Sequence, residues 1–174
     1  FKERPFALVP DPSFLYLSKG HGTALTLLRY SIMNRQGFTV VSGEVGSGKT
    51  TLVNCLLDEL KTGVTVGLIN FTTRTFGDMA EWIMMAYGLP YKNKGKVELY
   101  EDFVQFMIRE YAAGRPVVLI VDEAQNLGIR GLEEIRMLSN VNAQKEYLLH
   151  VILVGQPELR ALLQTPQLRQ LTQR

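Results

Sequence analysis

The sequence predicts an α/β domain: a parallel sheet with helices on both faces. Three observations carry this. Val117-Val118-Leu119-Ile120-Val121 is an unbroken apolar run, the mark of a strand covered on both sides. Short β-branched runs alternate along the chain with stretches whose apolar residues recur at helical spacing. Between the first such strand and the next helix stands Gly43-Glu44-Val45-Gly46-Ser47-Gly48-Lys49-Thr50, which fits G-x-x-x-x-G-K-[ST].

The elements follow in order. The first twenty residues carry Pro5, Pro10 and Pro12, which forbid a regular helix. This segment is expected to run extended, pinned by Phe6, Phe14 and Tyr16. Ala24, Leu25, Leu28 and Ile32 mark one face of a helix, which His21 opens as a locally packed residue in preference to a nucleotide ligand. Phe38 to Val41 reads as a short buried strand. Leu52, Val53, Leu56, Leu57 and Leu60 make a helix opening at Lys49. Gly63 to Ile69 is a second strand. Phe76, Met79, Ala80, Ile83, Met84 and Tyr87 form a helix closed by Gly88 and Pro90, with Trp82 off its stripe and partly buried. After a polar turn, Tyr100, Phe103, Val104, Met107 and Tyr111 make another, ended by Gly114. Val117 to Val121 is the third strand. Leu132, Ile135 and Leu138 mark a helix, and Leu148 to Val154 a fourth strand. A short helix with Leu159, Leu162 and Leu163 follows, and a last one starts after Pro166.

Bulk composition fits one such domain over residues 1–174. Hydrophobic residues at 46% and charged residues at 21% exclude a disordered chain. A net charge of +2 does not argue for nucleic acid, though it leaves a local basic patch open. The lone cysteine, Cys55, cannot close an internal disulfide and suits a reducing compartment. Its place beside Leu56 predicts a small buried core residue. No apolar stretch reaches the ~18 residues of a membrane span. The chain begins without methionine and stops within an apparent helix. It is read as a piece of a longer cytoplasmic protein, whose anchoring segments would lie elsewhere.

The glycine string has a chemistry. Strand, glycine loop and helix form the phosphate-binding loop of nucleotide triphosphatases. Glycines let the backbone turn its N–H groups toward phosphate oxygens, and the helix N-terminus adds partial positive charge. Gly43, Glu44, Val45, Gly46, Ser47 and Gly48 would line the phosphates, with Thr51 in the same turn. Lys49 would reach the β- and γ-phosphates, and the Thr50 hydroxyl would hold Mg²⁺. Asp122-Glu123 ends the apolar third strand. Asp122 would bind Mg²⁺ through water, and Glu123 would polarise the attacking water. Alone, such a pair also fits, less well, an acidic cap on the next helix. The phosphate loop in the same chain favours ATP and Mg²⁺.

With these motifs placed, longer strings resemble one family. They include Pro10-Asp11-Pro12-x-Phe14-Leu15-Tyr16, the phosphate loop, Val121-Asp122-Glu123-Ala124-Gln125-Asn126-Leu127, Gly155-Gln156-Pro157-Glu158-Leu159 and Gln173-Arg174. The chain resembles AAA+ ATPases of the ExeA/GspA-type general secretion pathway branch, together with the exosortase-associated ATPases. TniB, TnsC and MuB transposition ATPases are more distant relatives. The resemblance implies an AAA+ core with strand order 5-1-4-3-2, its last strand and helical lid lying beyond Arg174. It implies that Gln156 stands near the γ-phosphate, although a plain turn residue before Pro157 remains open. It implies that Arg174, or its rival Arg169, reaches the active site of a neighbouring subunit. Self-association would then follow once the lid is present.

Two classes of function remain. One is an ATPase that energises assembly of a secretion or export system at the cytoplasmic face of the inner membrane, with a membrane partner. The other is an ATP-dependent DNA-binding regulator of transposition type, which would need a basic stripe from Arg29, Arg35, Lys92, Lys94 and Lys96. A nucleotide switch without turnover fits Glu123 poorly.

Overall fold

The computed structural model describes residues 19–60, 63–70, 78–143 and 146–168. The expected extended segment with Phe6, Phe14 and Tyr16 lies outside these residues, as do Phe76, Arg169 and Arg174.

Strand β1 (Phe38–Ser42) follows helix α1 (Lys19–Met33), and α2 (Lys49–Glu59) leads to β2 (Thr65–Asn70). Helices α3 (Met79–Ala86) and α4 (Lys96–Ala112) precede β3 (Val117–Asp122). A 3-10 turn (Ala124–Leu127) runs into α5 (Gly128–Leu138). A small antiparallel pair, β4 (Asn142–Ala143) and β5 (Glu146–Tyr147), comes before β6 (Leu149–Gly155), and α6 (Pro157–Leu163) follows. The helix expected after Pro166 is a 3-10 turn over Pro166–Leu168, as far as the described residues extend.

The main sheet has order β1-β6-β3-β2, and every pairing in it is parallel. Counting only long strands, this is 1-4-3-2, in agreement with the predicted AAA+ core order. Side chains of a strand alternate between faces, and β3 shows the consequence. Val117, Leu119 and Val121 join the core under α3, α4 and α5, while Val118 and Ile120 join the core under α1 and α2. The central strands β3 and β6 are buried along their whole length. Each such aliphatic side chain contributes about 1.5–3 kcal/mol on burial.

Strand β1 corrects the expectation of a buried strand. It is a border strand among the described residues, and Val40 is 41% exposed. Cys55 is also corrected: it is partly rather than fully buried. Desolvation raises its thiol pKa, with the Asp58 and Glu59 carboxylates adding to the rise, so it is poorly disposed to react. Trp82 is partly buried against the larger core, as expected.

One local device ties α3 to α4, and a second ties α3 to the sheet. Asp78 caps α3 by accepting from the Ala80 N–H at 3.2 Å, and it pairs with Lys96 Nζ at 2.7 Å at the start of α4. Tyr87 passes over Gly67 and donates its hydroxyl to the Val118 carbonyl at 2.8 Å.

Candidate active site

The C-terminal ends of β1, β6 and β3 meet at one edge of the sheet. Ser42 is in register with Gly155, and Val121 with Leu153. The Gly43 N–H donates to the Gly155 carbonyl at 3.2 Å. The segments leaving these strands therefore share one mouth, where parallel sheets place their ligands.

The glycine loop is shaped by its residue types. Gly46 and Gly48 have φ of 76° and 83°, the left-handed region that side chains disfavour. A Cβ on Gly43 would lie 2.8 Å from Ser47 Oγ. Lys49 arches back over the loop, and its Nζ donates to the carbonyls of Gly43 at 2.7 Å and Glu44 at 2.9 Å. Its ammonium is thus fixed beside the loop's N–H groups. Thr50 and Thr51 fill the first turn of α2.

The acidic pair divides into two orientations. Asp122 is the last residue of β3, shares the face of Val118 and Ile120, and is 3% exposed. Its Oδ2 accepts from the Thr50 hydroxyl at 3.2 Å, and its Oδ1 accepts from the Glu123 N–H at 2.9 Å. Glu123 has φ 53° and ψ 39°. A non-glycine residue there carries about 1–3 kcal/mol of strain, a feature concentrated at functional sites. The turn swings the Glu123 carboxylate toward β6, where Gln156 Nε2 donates to its Oε2 at 3.2 Å.

A cleft of about 280 Å³ opens between these groups, lined by Val45, Gly46, Gly48, Lys49, Thr50, Thr51, Glu123 and Gln156. Gly43, Glu44, Ser47 and Asp122 stand behind this lining through the contacts above. Thus the structure gathers the predicted residues of both motifs and Gln156 in one place, while Arg174 lies outside the described residues. The acidic-cap alternative for Asp122 and Glu123 does not describe their geometry. Asp122 faces Thr50, and Glu123 makes no side-chain capping bond.

The donor set fits Mg²⁺. Thr50 and Asp122 offer two adjacent hard oxygens, and Mg²⁺ takes few protein ligands beside phosphate and water oxygens. No cluster of three or more His, Cys, Asp or Glu suited to a metal occurs among the described residues. The Thr50–Asp122 pair by itself suits a metal that arrives with phosphates.

Two contributors escaped the sequence reading. His21 is not only a locally packed helix-start residue: its Nε2 lies 2.8 Å from the Ser47 carbonyl, so α1 braces the phosphate loop. Gln125 bridges Glu123 and Gln156. Its place two residues after Glu123, in the string Asp122-Glu123-Ala124-Gln125, was the available signal. A second groove, about 350 Å³, lies at the starts of α3 and α4 and the end of α5. Its lining includes Val97, Tyr100 and Met137, and its Lys96 is paired with Asp78.

Known proteins share this sequence pattern and fold. The family model described as AAA domain matches residues 32–163. General secretion pathway protein A of Aeromonas hydrophila is 40% identical over 173 residues, which is 99% of this chain and 32% of that protein. The chain thus spans about a third of that relative's length. Among solved structures, the Aeropyrum pernix ORC2 protein in ADPNP-ADP complexes is 18% identical with a TM-score of 0.61. Cdc6p of Pyrobaculum aerophilum is 18% identical with a TM-score of 0.62. Each alignment covers 94% of this chain and 48% of the other. At such identity the two structures show likeness of fold alone. The family match runs from the end of α1 to the end of α6 and takes in the whole parallel sheet with both phosphate-site motifs, so the chain belongs to the AAA domain family.

Proposed function

We propose that this domain binds Mg²⁺-ATP in the cleft and hydrolyses it to ADP and phosphate, as the ATPase module of a secretion system. One juxtaposition carries the reading: the Thr50–Asp122 oxygen pair stands beside Lys49, with Glu123 lining the same cleft. The loop N–H groups and Lys49 take the phosphate oxygens. Thr50 and Asp122 would hold Mg²⁺, which would supply charge neutralisation for the phosphates. Glu123 accepts a hydrogen bond from the attacking water and takes its proton as the water oxygen bonds to the γ-phosphorus. The bond from that phosphorus to the β–γ bridging oxygen breaks, and ADP leaves. Gln156, bonded to Glu123, stands where it can sense the γ-phosphate. Arg174 from a neighbouring subunit completes the site in an assembled form.

The secretion role is supported by the likeness to general secretion pathway protein A. In that role the domain would work at the cytoplasmic face of the inner membrane, coupling turnover to assembly with a membrane partner. Among the described residues no helix is long and apolar enough to cross a membrane, so such an anchor would come from another segment. The DNA-regulator reading has less support, because four of its five basic residues are ion-paired within the fold. Arg29 pairs with Glu59, Arg35 with Glu146, Lys94 with Asp102, and Lys96 with Asp78.

Lys49→Ala in the full-length protein tests the site. Loss of a charge-assisted contact to phosphate should weaken Mg²⁺-ATP binding at least ~10-fold in calorimetry, with thermal unfolding unchanged. Unchanged affinity in a folded variant overturns the reading.

A further inference from the structure

Gln125 belongs neither to the glycine loop nor to the acidic pair, yet its carboxamide joins Glu123 to the end of β6. Its Nε2 donates to Glu123 Oε2 at 2.5 Å, and its Oε1 accepts from the Gln156 backbone N–H at 3.1 Å. The orientation of the amide follows from chemistry. A backbone N–H only donates, so the atom facing it is the oxygen, and the nitrogen is left to face the carboxylate. Gln156 closes a ring by donating its own Nε2 to the same Oε2 of Glu123 at 3.2 Å. Gly155 leaves the space for this, since a Cβ there would lie 2.6 Å from Gln125 Oε1. The 3-10 turn carrying Gln125 is anchored by Ala124, which is fully buried.

The geometry points to Gln125 as a positioning residue for hydrolysis: it clamps Glu123 Oε2, presents Oε1 to the attacking water, and ties that carboxylate to Gln156. This rests on the hydrolytic role proposed above for Glu123. A glutamate side chain has three soft torsions, and the left-handed backbone of Glu123 does not by itself select among them. Two amide donors on one oxygen do select. Through the Gln125 oxygen, a shift of the Gln156 backbone at the end of β6 also moves the carboxylate. Gln125 touches no phosphate-loop residue by any of these contacts, so it acts on the chemical step and not on nucleotide affinity.

A double-mutant cycle in the full-length protein tests this, read by single-turnover hydrolysis and by ATP affinity. Gln125→Met keeps the side-chain length and removes both hydrogen-bonding groups. It should slow hydrolysis ~10- to 100-fold, a share of a general-base contribution, with ATP affinity changed less than about twofold. In a Glu123→Gln background the same substitution should cost nothing further, because residues acting as one unit are not additive. Gln125→Glu retains an acceptor for the Gln156 N–H but sets a carboxylate against Glu123. It should show the same loss, and it reads the clamp even where Gln125→Met does not fold. Wild-type turnover by Gln125→Glu, or by folded Gln125→Met, beside a slow Glu123→Gln, overturns the clamp alone. A full additive loss in the Glu123→Gln background also overturns it. Wild-type turnover by Glu123→Gln overturns the role of Glu123 itself and the clamp with it.

Discussion

The hydroxyl of Thr50, in the first turn of α2, lies 3.2 Å from Oδ2 of Asp122, at the end of β3. Two motifs 72 residues apart thereby meet at one point. If that point is a Mg²⁺ site, the two residues share a phenotype. Thr50→Ala and Asp122→Asn should each lower Mg²⁺ affinity ~10- to 100-fold in the presence of nucleotide. Calorimetry with ATP, in Mg²⁺ and in a chelator, checks this. Wild type should gain affinity from Mg²⁺, and the variants should gain little.

Gly67 is a packing position remote from the loop. A Cβ there would lie 2.7 Å from Cζ of Tyr87. Tyr87 has little room to retreat, with its ring centroid 5.5 Å from that of Phe103 and 5.2 Å from that of Phe106. Gly67→Ala should cost about 1–3 kcal/mol of stability by overpacking. Chemical denaturation should show a lower midpoint, while ATP affinity stays at the wild-type value.

His150 gives the fold an acid-sensitive joint. Burial holds its imidazole pKa below the ordinary 6.5, opposed by the hydrogen bond of Nδ1 to the Gln36 carbonyl. Its Nε2 faces the hydroxyls of Ser31 at 3.3 Å and Thr39 at 3.4 Å. Because the folded-state pKa is depressed, the unfolded chain binds the proton first. Stability from this group is complete above pH 6.5 and is lost as pH falls below it toward the folded-state pKa. Denaturation midpoints measured downward from pH 7.5 should decline through this window. His150→Gln, which carries no charge, should flatten that part of the profile.

Arg174 is a proposed contributor across a subunit interface. In a full-length protein that assembles with ATP, Arg174→Ala should lower turnover by ~10³-fold while nucleotide binding stays nearly intact. Mixing Arg174→Ala with Glu123→Gln subunits should restore part of the activity, since one mixed interface pairs an intact Glu123 with an intact Arg174. No recovery in mixed oligomers of demonstrated composition assigns the role elsewhere, with Arg169 next.

Much of this architecture was legible in the residues because one physical rule governed each element. The run from Val117 to Val121 is apolar throughout because β3 is covered on both faces. Met79, Ile83 and Met84 recur at helical spacing because one face of α3 meets the core. The pair β4–β5 was not legible, since strands of two residues are too short to show alternation. Its Tyr147 ring covers Gly37 just before β1, a contact between distant segments that sequence spacing cannot reveal. Border exposure of Val40 was likewise hidden, because Phe38 to Val41 has the same residue types as a central strand. In the site, local motifs announced Lys49, Thr50, Asp122 and Glu123. The roles of His21 and Gln125 depend on partners 26 and 31 residues away, brought near only by the folded sheet.

The central claim is that the carboxylate of Glu123 activates water for hydrolysis of ATP held by the glycine loop. Glu123→Gln keeps the size of the side chain and removes its negative charge. The direct measurement is phosphate release by the full-length protein, wild type against Glu123→Gln, with ATP affinity determined on the same samples. The expected result is a fall of ~10²-fold or more in hydrolysis, with ATP bound as in wild type. A Glu123→Gln protein that binds ATP and hydrolyses it at the wild-type rate would contradict the account.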